Sequence, residues 1–346
     1  MKFSKTLINW YLENKRDLPW RSEKDAYYIW LSEIILQQTR IEQGKPYYLK
    51  FVDRFPSVFD LAAASEEEVL KLWQGLGYYS RARNLHASAK YIVNELKGIF
   101  PETYKDLLQL KGVGDYTASA IASICYEEPV AVVDGNVYRV LSRIFGISTP
   151  INSTEGIKEF KILAQKLLDK TNPSDFNQGL MEFGALQCKP QLPECPTCPF
   201  SGNCIAYKEQ RIAQLPIKLR KQKIRKRHFN YLVFISEDKE TLLKQRKGKG
   251  IWQGLYEFPL VETSGETSFE NLVKEEEYQS YSTSENTSVA LFNELPVVHK
   301  LSHQHIFTRF WIVNCRELPQ GGVPLEKINE FPVPVLIDKF IESYCF

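Results

Sequence analysis

Leu110-Lys111-Gly112-Val113-Gly114-Asp115-Tyr116-Thr117-Ala118 stands between two segments, 101–110 and 115–126, whose apolar residues recur at three- and four-residue spacing. Two glycines around a single valine allow a tight hairpin with exposed backbone N–H groups. The helix that follows points its positive N-terminus the same way. Such a joint can hold a phosphate without reading bases; a purely structural turn between two helices fits the same nine residues. Helical spacing extends outward from it through 25–38, 57–72, 81–97, 135–145 and 155–168. Short Gly- or Pro-bearing joints separate these segments, which predicts an orthogonal helical fold from residue 1 to about 187. In 135–145 the apolar stripe is Val137, Val140, Leu141 and Ile144, with Arg139 and Arg143 turned elsewhere.

Beyond residue 187 the chain changes character. Cys188, Cys195, Cys198 and Cys204 follow one another with six, two and five residues between them. Seventeen residues can wrap four thiolates around one small metal centre, and prolines 190, 193, 196 and 199 stiffen the loop and reduce the entropy of ordering it. Structural zinc prefers two close pairs and only one is present, yet spacing alone leaves iron–sulfur and zinc both open. The chain has seven cysteines and no apolar leader, which disfavours a disulfide framework and predicts a reducing, intracellular setting.

Length sets a two-domain expectation for 346 residues. A net charge of +2 is close to neutral, so any nucleic-acid contact must rest on local clustering. One cluster is the stretch 218–227, seven basic residues in ten, read as a solvated or phosphate-contacting linker within 211–228. After it, 229–235, 254–261 and 305–313 are rich in β-branched and aromatic residues and are predicted as strands. Alternation through 305–313 predicts a sheet covered on both sides. The Ser/Thr/Glu-rich stretch 262–288 is predicted as loop with one short helix.

Two carboxylates attract chemistry. Glu33 lies inside the apolar run Ile29–Leu36; held among such neighbours, a carboxyl is desolvated and can act as an acid near neutral pH. On the opposite helix face it would be an ordinary exposed residue. Asp134 follows four apolar residues and precedes a helix, the place of an N-cap, where the helix dipole is expected to keep it ionised. One neutral and one ionised carboxyl is the arrangement that glycosidic-bond cleavage needs.

The hairpin, the Val133-Asp134-Gly135-Asn136 segment and the cysteine loop together resemble the endonuclease III superfamily of DNA glycosylases. Within it, residues 32–39, 76–85, 132–143 and 181–188 are similar to the MutY adenine glycosylases. The resemblance implies a mainly α helix-hairpin-helix glycosylase domain over 1–210, with a [4Fe–4S] cluster on Cys188, Cys195, Cys198 and Cys204. The basic linker would span 211–228, and an α+β Nudix-like domain that recognises 8-oxoguanine would occupy 229–346. It further implies that Glu33 protonates the departing adenine, that Asp134 and Asn136 stabilise the sugar cation, and that Tyr116, Arg21 and Glu182 surround the base. Gln38, Thr39 and Tyr78 would enter the base stack, and Gly112, Val113 and Gly114 would meet phosphate.

Tyr116 stands where the lyases of this superfamily carry a lysine; a phenol cannot form an imine, so base removal without strand cleavage is expected. In the second domain Gly250–Pro259 resembles the Nudix core, while Glu275-Glu276-Glu277 lacks the spacing of a magnesium-binding Nudix helix. Leu301-Ser302-His303 matches the family's lesion-probing loop, with leucine replacing the usual phenylalanine; Ser302 and His303 would read the lesion edge. The expected partner is double-stranded DNA with adenine opposite 8-oxoguanine or guanine, bound by a monomer away from any membrane. No residue assigns a sliding-clamp contact. A thymine-mismatch glycosylase of the same superfamily and a non-catalytic iron–sulfur DNA-binding protein are the competing readings.

Overall fold

The computed structural model describes residues 3–219, 224–281 and 286–344, so the centre of the basic linker (220–223) and Cys345 lie outside the described residues. Two units emerge from its contacts: Met1–Ala63 with Asn84–Arg220, and Ala64–Arg83 with Lys221–Phe346.

The chain runs α1 (Phe3–Asn14), α2 (Ala26–Leu36), α3 (Ile41–Arg54), α4 (Val58–Ala63), α5 (Glu66–Trp73), α6 (Ser80–Asn94), α7 (Tyr104–Leu107), α8 (Asp115–Tyr126), α9 (Gly135–Phe145), α10 (Thr154–Leu167), α11 (Pro173–Leu186) and α12 (Ile205–Lys208). The core of the first unit forms where α9, α10, α11 and α1 meet. Val137, Val140, Leu141 and Ile144 pack there with Phe160, Phe176, Leu180, Phe183 and Leu7. Close approach is built into α11: a Cβ on Gly184 would lie 2.6 Å from Asn136 Cβ, so only glycine lets α9 come this near. The stretch 57–72 is two helices rather than one, because the Ser65 hydroxyl accepts from Glu68 N–H at 3.0 Å and starts α5 afresh. The explicit periodicity passed over α3, whose buried face is only Gly44, Tyr48 and Phe51 and which carries Pro46 inside.

The second unit continues with β1 (Arg225–Ser236), β2 (Glu240–Thr241), β3 (Lys244–Gln245), β4 (Tyr256–Glu257), β5 (Leu260–Thr263), α13 (Phe269–Leu272), α14 (Glu276–Gln279), β6 (Asn286–Leu291), β7 (Val297–Lys300), β8 (Gln304–Cys315), β9 (Val323–Pro324) and α15 (Val335–Tyr344). Its main sheet has the order β5-β1-β8-β6, with β7 also paired to β8. β1 and β8 run parallel from Arg225↔Gln304 to Ser236↔Cys315. β1 therefore starts at Arg225, and the end of the predicted basic linker is strand. The predicted strand 254–261 breaks into β4 and β5 around Pro259, which has no N–H to give a ladder. Two short helices, α13 and α14, replace the single one expected in 262–288. Both sheet faces are covered: Phe310 stacks on Phe340 of α15 at 4.0 Å, while Trp311 lies 5.5 Å from Phe269 of α13.

Periodicity assigns 64–83 to the helical domain, but this segment clusters with the second unit. Packing is the cause. Arg83 Nη1 donates to Gln253 O at 2.6 Å, and Gly254, at φ +83°, leaves a gap that Leu70 and Glu66 fill. Among the described residues no helix is long and apolar enough to cross a membrane.

Candidate active site and cysteine loop

Glu33, Tyr116 and Asp134 come together in the first unit. α2 presents Glu33 one residue from the fully buried Ser32 and Ile34, and its carboxyl is pushed up to about 7. Burial is the main cause, and the negative charge of Asp134 adds to it. A hydrogen bond from the Tyr116 hydroxyl and the charge of Arg21 work the other way. Tyr116 is itself driven well above the ordinary phenol range by burial and by the two carboxyls, and its hydroxyl reaches Met181 Sδ at 3.5 Å. A carboxyl that titrates near neutrality, a neutral phenol and a second carboxyl thus share one partly desolvated site.

Asp134 caps α9, accepting from Val137 N–H at 2.7 Å and from Asn136 Nδ2 at 2.8 Å. The helix dipole favours the ionised form of this carboxyl, but its pKa is nonetheless shifted upward. Burial is the cause, and the hydrogen bonds from Val137 and from the backbone and side chain of Asn136, with the charge of Arg139, offset only part of it. These hydrogen bonds come from donors, so the geometry is that of an accepting carboxylate.

Arg21 and Glu182 also meet directly, and they are joined there by Arg16, which no motif of the sequence marks. Arg16 donates from its backbone N–H and from Nε to Glu182 Oε1, both at 2.9 Å, and from Nη2 to Oε2 at 2.7 Å. Arg21 Nη2 adds a bond of 2.8 Å to the same Oε2. These arginines hold the Glu182 carboxyl below its usual range in spite of burial. Its acceptor capacity is taken up by arginine, so it fixes Arg21 rather than offering a free carboxylate. Arg21 further lines a polar cleft of about 210 Å³ with Gln178, one turn before Glu182 on α11.

Arg139 joins the capped carboxylate to the cysteine loop. Its Nη2 donates to Asn136 Oδ1 at 2.7 Å and to Gly184 O at 2.8 Å, and its Nε to Cys188 O at 2.8 Å. Asn136 is thereby clamped at both ends of its amide. Arg139→Leu keeps the stem and removes every donor. The expected result is about a hundredfold loss of single-turnover activity, with protein that stays folded; an unchanged rate would show that Asn136 needs no clamp.

Cys188, Cys195, Cys198 and Cys204 line one cavity together with Ile144, Phe183 and Ile212. None is in a disulfide. Backbone N–H groups reach the sulfurs, from Phe200 to Cys198 and from Tyr207 and Ala206 to Cys204. The guanidinium of Arg143, 2% exposed, lies 3.5 Å from Cys188 Sγ and donates to Lys189 O and Pro190 O. Such donors stabilise thiolates, although burial, with the neighbouring cysteines, still pushes the Cys198 thiol up to about 11. Four sulfurs on an apolar cavity with N–H groups and a buried cation aimed at them fit the donor chemistry of a thiolate-held metal centre, an iron–sulfur cluster among them. Among the described residues no three His, Cys, Asp or Glu side chains converge on a position for one metal ion.

In the hairpin between α7 and α8, Gly112 adopts φ +79°, and a Cβ there would lie 2.8 Å from Asn84 Cβ. Gly114 caps α8 without a side chain, while Val113 is buried beneath. Gln37 Nε2 ties the end of α2 to this turn through Gly112 O and Thr117 Oγ1. The next residue, Gln38, is exposed at φ +55° and precedes Thr39.

In the second unit Tyr78, 48% exposed at φ +49°, lines a cleft of about 440 Å³ with Leu301, Ser302, His303, Arg83 and Trp252. Residues 301–303 form the tip of the β7–β8 hairpin, closed by Leu301 N–H to Gln304 O at 2.8 Å. The site residues proposed for the two units therefore fall into a carboxylate site with a cysteine loop in one, and a ligand-sized cleft in the other.

Residues 31–166 match the family described as HhH-GPD superfamily base excision DNA repair protein, and residues 230–343 match a NUDIX domain. A thermostable thymine-DNA glycosylase is similar in structure, with TM-score 0.56 and 33% identity, covering 60% of this chain and 95% of that one. An endonuclease III in complex with DNA shares the fold at TM-score 0.53 and 21% identity, covering 60% and 94%. Fold and site thus define a base-excision-repair protein of the helix-hairpin-helix class. Adenine DNA glycosylases of Buchnera aphidicola are similar over a larger share of the chain. That of subsp. Schizaphis graminum is 36% identical over 77% of this chain and 76% of its own length; that of subsp. Baizongia pistaciae is 33% identical over 90% and 86%. The chain belongs to the adenine DNA glycosylase family.

Proposed function

We propose that this chain removes adenine mispaired with 8-oxoguanine or guanine in double-stranded DNA and leaves an abasic site without cutting the strand. The observation that carries the proposal is the Glu33 carboxyl, held near neutrality at about 7 beside the capped carboxylate of Asp134. Adenine leaves poorly as an anion, so a proton delivered to N7 must accompany its departure. Glu33 gives that proton as the C1′–N9 bond breaks. The sugar then carries positive charge, which Asp134 stabilises with Asn136 holding its orientation. Water supplies the hydroxyl at C1′ and gives up a proton to restore the acid. Arg21, fixed by Glu182, walls the base pocket. Tyr116 supplies no amine, so no imine forms and the backbone stays intact.

The family resemblance and the thiol geometry support a [4Fe–4S] cluster on Cys188, Cys195, Cys198 and Cys204. When bound it supplies structural cross-linking of the loop; Arg139 and Arg143 transmit that order to α9. Gly112, Val113 and Gly114 offer backbone N–H groups to phosphate. Gln38, Thr39 and Tyr78 replace stacking lost when adenine leaves the helix. Ser302 and His303 read the lesion from the cleft of the second unit. The protein acts as a monomer.

Single-turnover excision on duplexes with A:8-oxoguanine, A:G and G:T, each divided with and without alkali, tests this reading. The expected result is cleavage at adenine only after alkali, fastest opposite 8-oxoguanine. Action on G:T alone would transfer the chain's activity to thymine, and no product from any duplex would leave a DNA-binding protein.

A further inference from the structure

The turn that carries Tyr78 is unusual in its backbone. Gly75, Gly77 and Tyr78 have φ of +99°, +73° and +49°, three left-handed residues in four. For tyrosine that conformation is costly and persists only where surroundings impose it. Part of the support is local. Trp73 Nε1 and Arg81 Nη2 both donate to Gly77 O at 3.1 Å, and the Arg81 guanidinium covers the rings of Trp73 and Tyr78.

The rest comes from far along the chain. Lys71 Nζ donates to Phe331 O at 3.1 Å, Val333 N–H donates to Gln74 Oε1 at 3.2 Å, and the Tyr79 hydroxyl reaches Val333 O at 3.4 Å. Between them, Pro332 O accepts from Tyr256 N–H at 2.8 Å on the other side. Gln74 Nε2 also donates to Asp338 Oδ1 of α15 at 2.7 Å. Three consecutive residues of an extended strap, Phe331–Val333, thus stitch the sheet at β4 to both ends of the Tyr78 turn. Gln74 is the residue at which these bonds meet, and it is the last before the left-handed stretch.

We infer that Gln74, assisted by Lys71, is a positioning residue: through the Phe331–Val333 strap it makes the C-terminal unit the scaffold that holds Tyr78 in its base-displacing conformation. The lesion-reading cleft and the displacing tyrosine are then one rigid construction, and loss of the strap contact costs base displacement as well as discrimination. This rests on the proposed role of Tyr78 in adenine excision.

The test compares full-length Gln74→Ala, Tyr78→Ala and the double variant. One arm measures single-turnover excision of adenine opposite 8-oxoguanine. The other measures fluorescence of 2-aminopurine, placed where the adenine stood, on binding to each protein in a Glu33→Gln background. Each single variant is expected to lose about tenfold in rate and most of the fluorescence rise, with the double variant losing no more than either. Non-additivity of this kind is a sign of one shared function that a general loss of stability would not give. Thermal unfolding identifies a Gln74→Ala protein that does not fold; Asp338→Asn, which removes the charge from one bond and keeps the shape of the side chain, then takes its place with the same expected pattern at smaller amplitude. Multiplying losses in the double variant, or a full fluorescence rise with slowed excision, would overturn the inference while leaving the glycosylase reading intact. Wild-type protein that releases no adenine would overturn both.

Discussion

Replacing Glu33 by Gln is expected to slow single-turnover base release about 10³-fold, within the range that a positioned general acid contributes. Glutamine keeps the shape and has no proton to give. Wild-type protein should show a rate that falls tenfold per unit above pH 7, because the acid form of Glu33 is the active one and its carboxyl titrates at about 7. The Gln variant should lose this dependence. Stability moves in the opposite sense. The folded protein holds a proton on Glu33 that the unfolded chain releases near 4.5, so the stability present below 4.5 is lost as pH rises through about 7. At pH 8 the buried carboxylate then costs on the order of 2–3 kcal/mol. Glu33→Gln should therefore melt higher than wild type at pH 8 and much nearer to it at pH 5. Equal base release by the two proteins at pH 6 would remove Glu33 from the chemistry.

Glu33 was legible in sequence because apolar residues surround it in one short run, and a helix turns such a run into a desolvated environment. The stripe of α9 was legible for a similar reason: Val137, Val140, Leu141 and Ile144 obey a single local period. What local period cannot show is the destination of the polar residues between them. Arg139 and Arg143 read as turned away from the core, yet Arg143 is almost completely buried, and both end on carbonyls of the cysteine loop 46 to 49 residues on. A buried arginine has the same sequence signature as a solvated one. Only the long-range acceptor distinguishes them. Arg16 escaped notice likewise, because its partner Glu182 lies 166 residues away.

The same limit explains the segment 64–83. Its helical spacing is real, but the contacts that fix it come from Gln253, Phe331, Val333 and Asp338, and no pattern within twenty residues reports them. Asp134 shows a different limit. Position alone predicts the N-cap, and the cap exists, but the pull of the dipole on the charge is opposed by desolvation that only the helix packing adds. Two local rules pointed in opposite directions, and the burial needed to choose between them is a tertiary quantity.

Asp134→Asn separates the two duties of that residue. Asparagine is as good an N-cap as aspartate, so the bond from Val137 N–H survives, along with the fold of α9 and the cysteine loop it contacts. What disappears is the charge proposed to stabilise the sugar cation. Loss of a preorganised electrostatic partner of a developing cation is expected to cost about 10³-fold in single-turnover rate, about 4 kcal/mol of barrier, with DNA affinity and iron content unchanged. The variant should also move the pH profile. Burial is the principal reason that Glu33 titrates near 7, and the Asp134 charge adds to it; without that charge Glu33 releases its proton more readily, so the residual activity should begin to fall at lower pH than in wild type. Asp134→Ala should lose the same rate and, in addition, about 1 kcal/mol of stability from the missing cap. A variant with asparagine that excises adenine at the wild-type rate would show that Asp134 serves the helix alone, and the stabilisation of the sugar would have to come from another group facing the site.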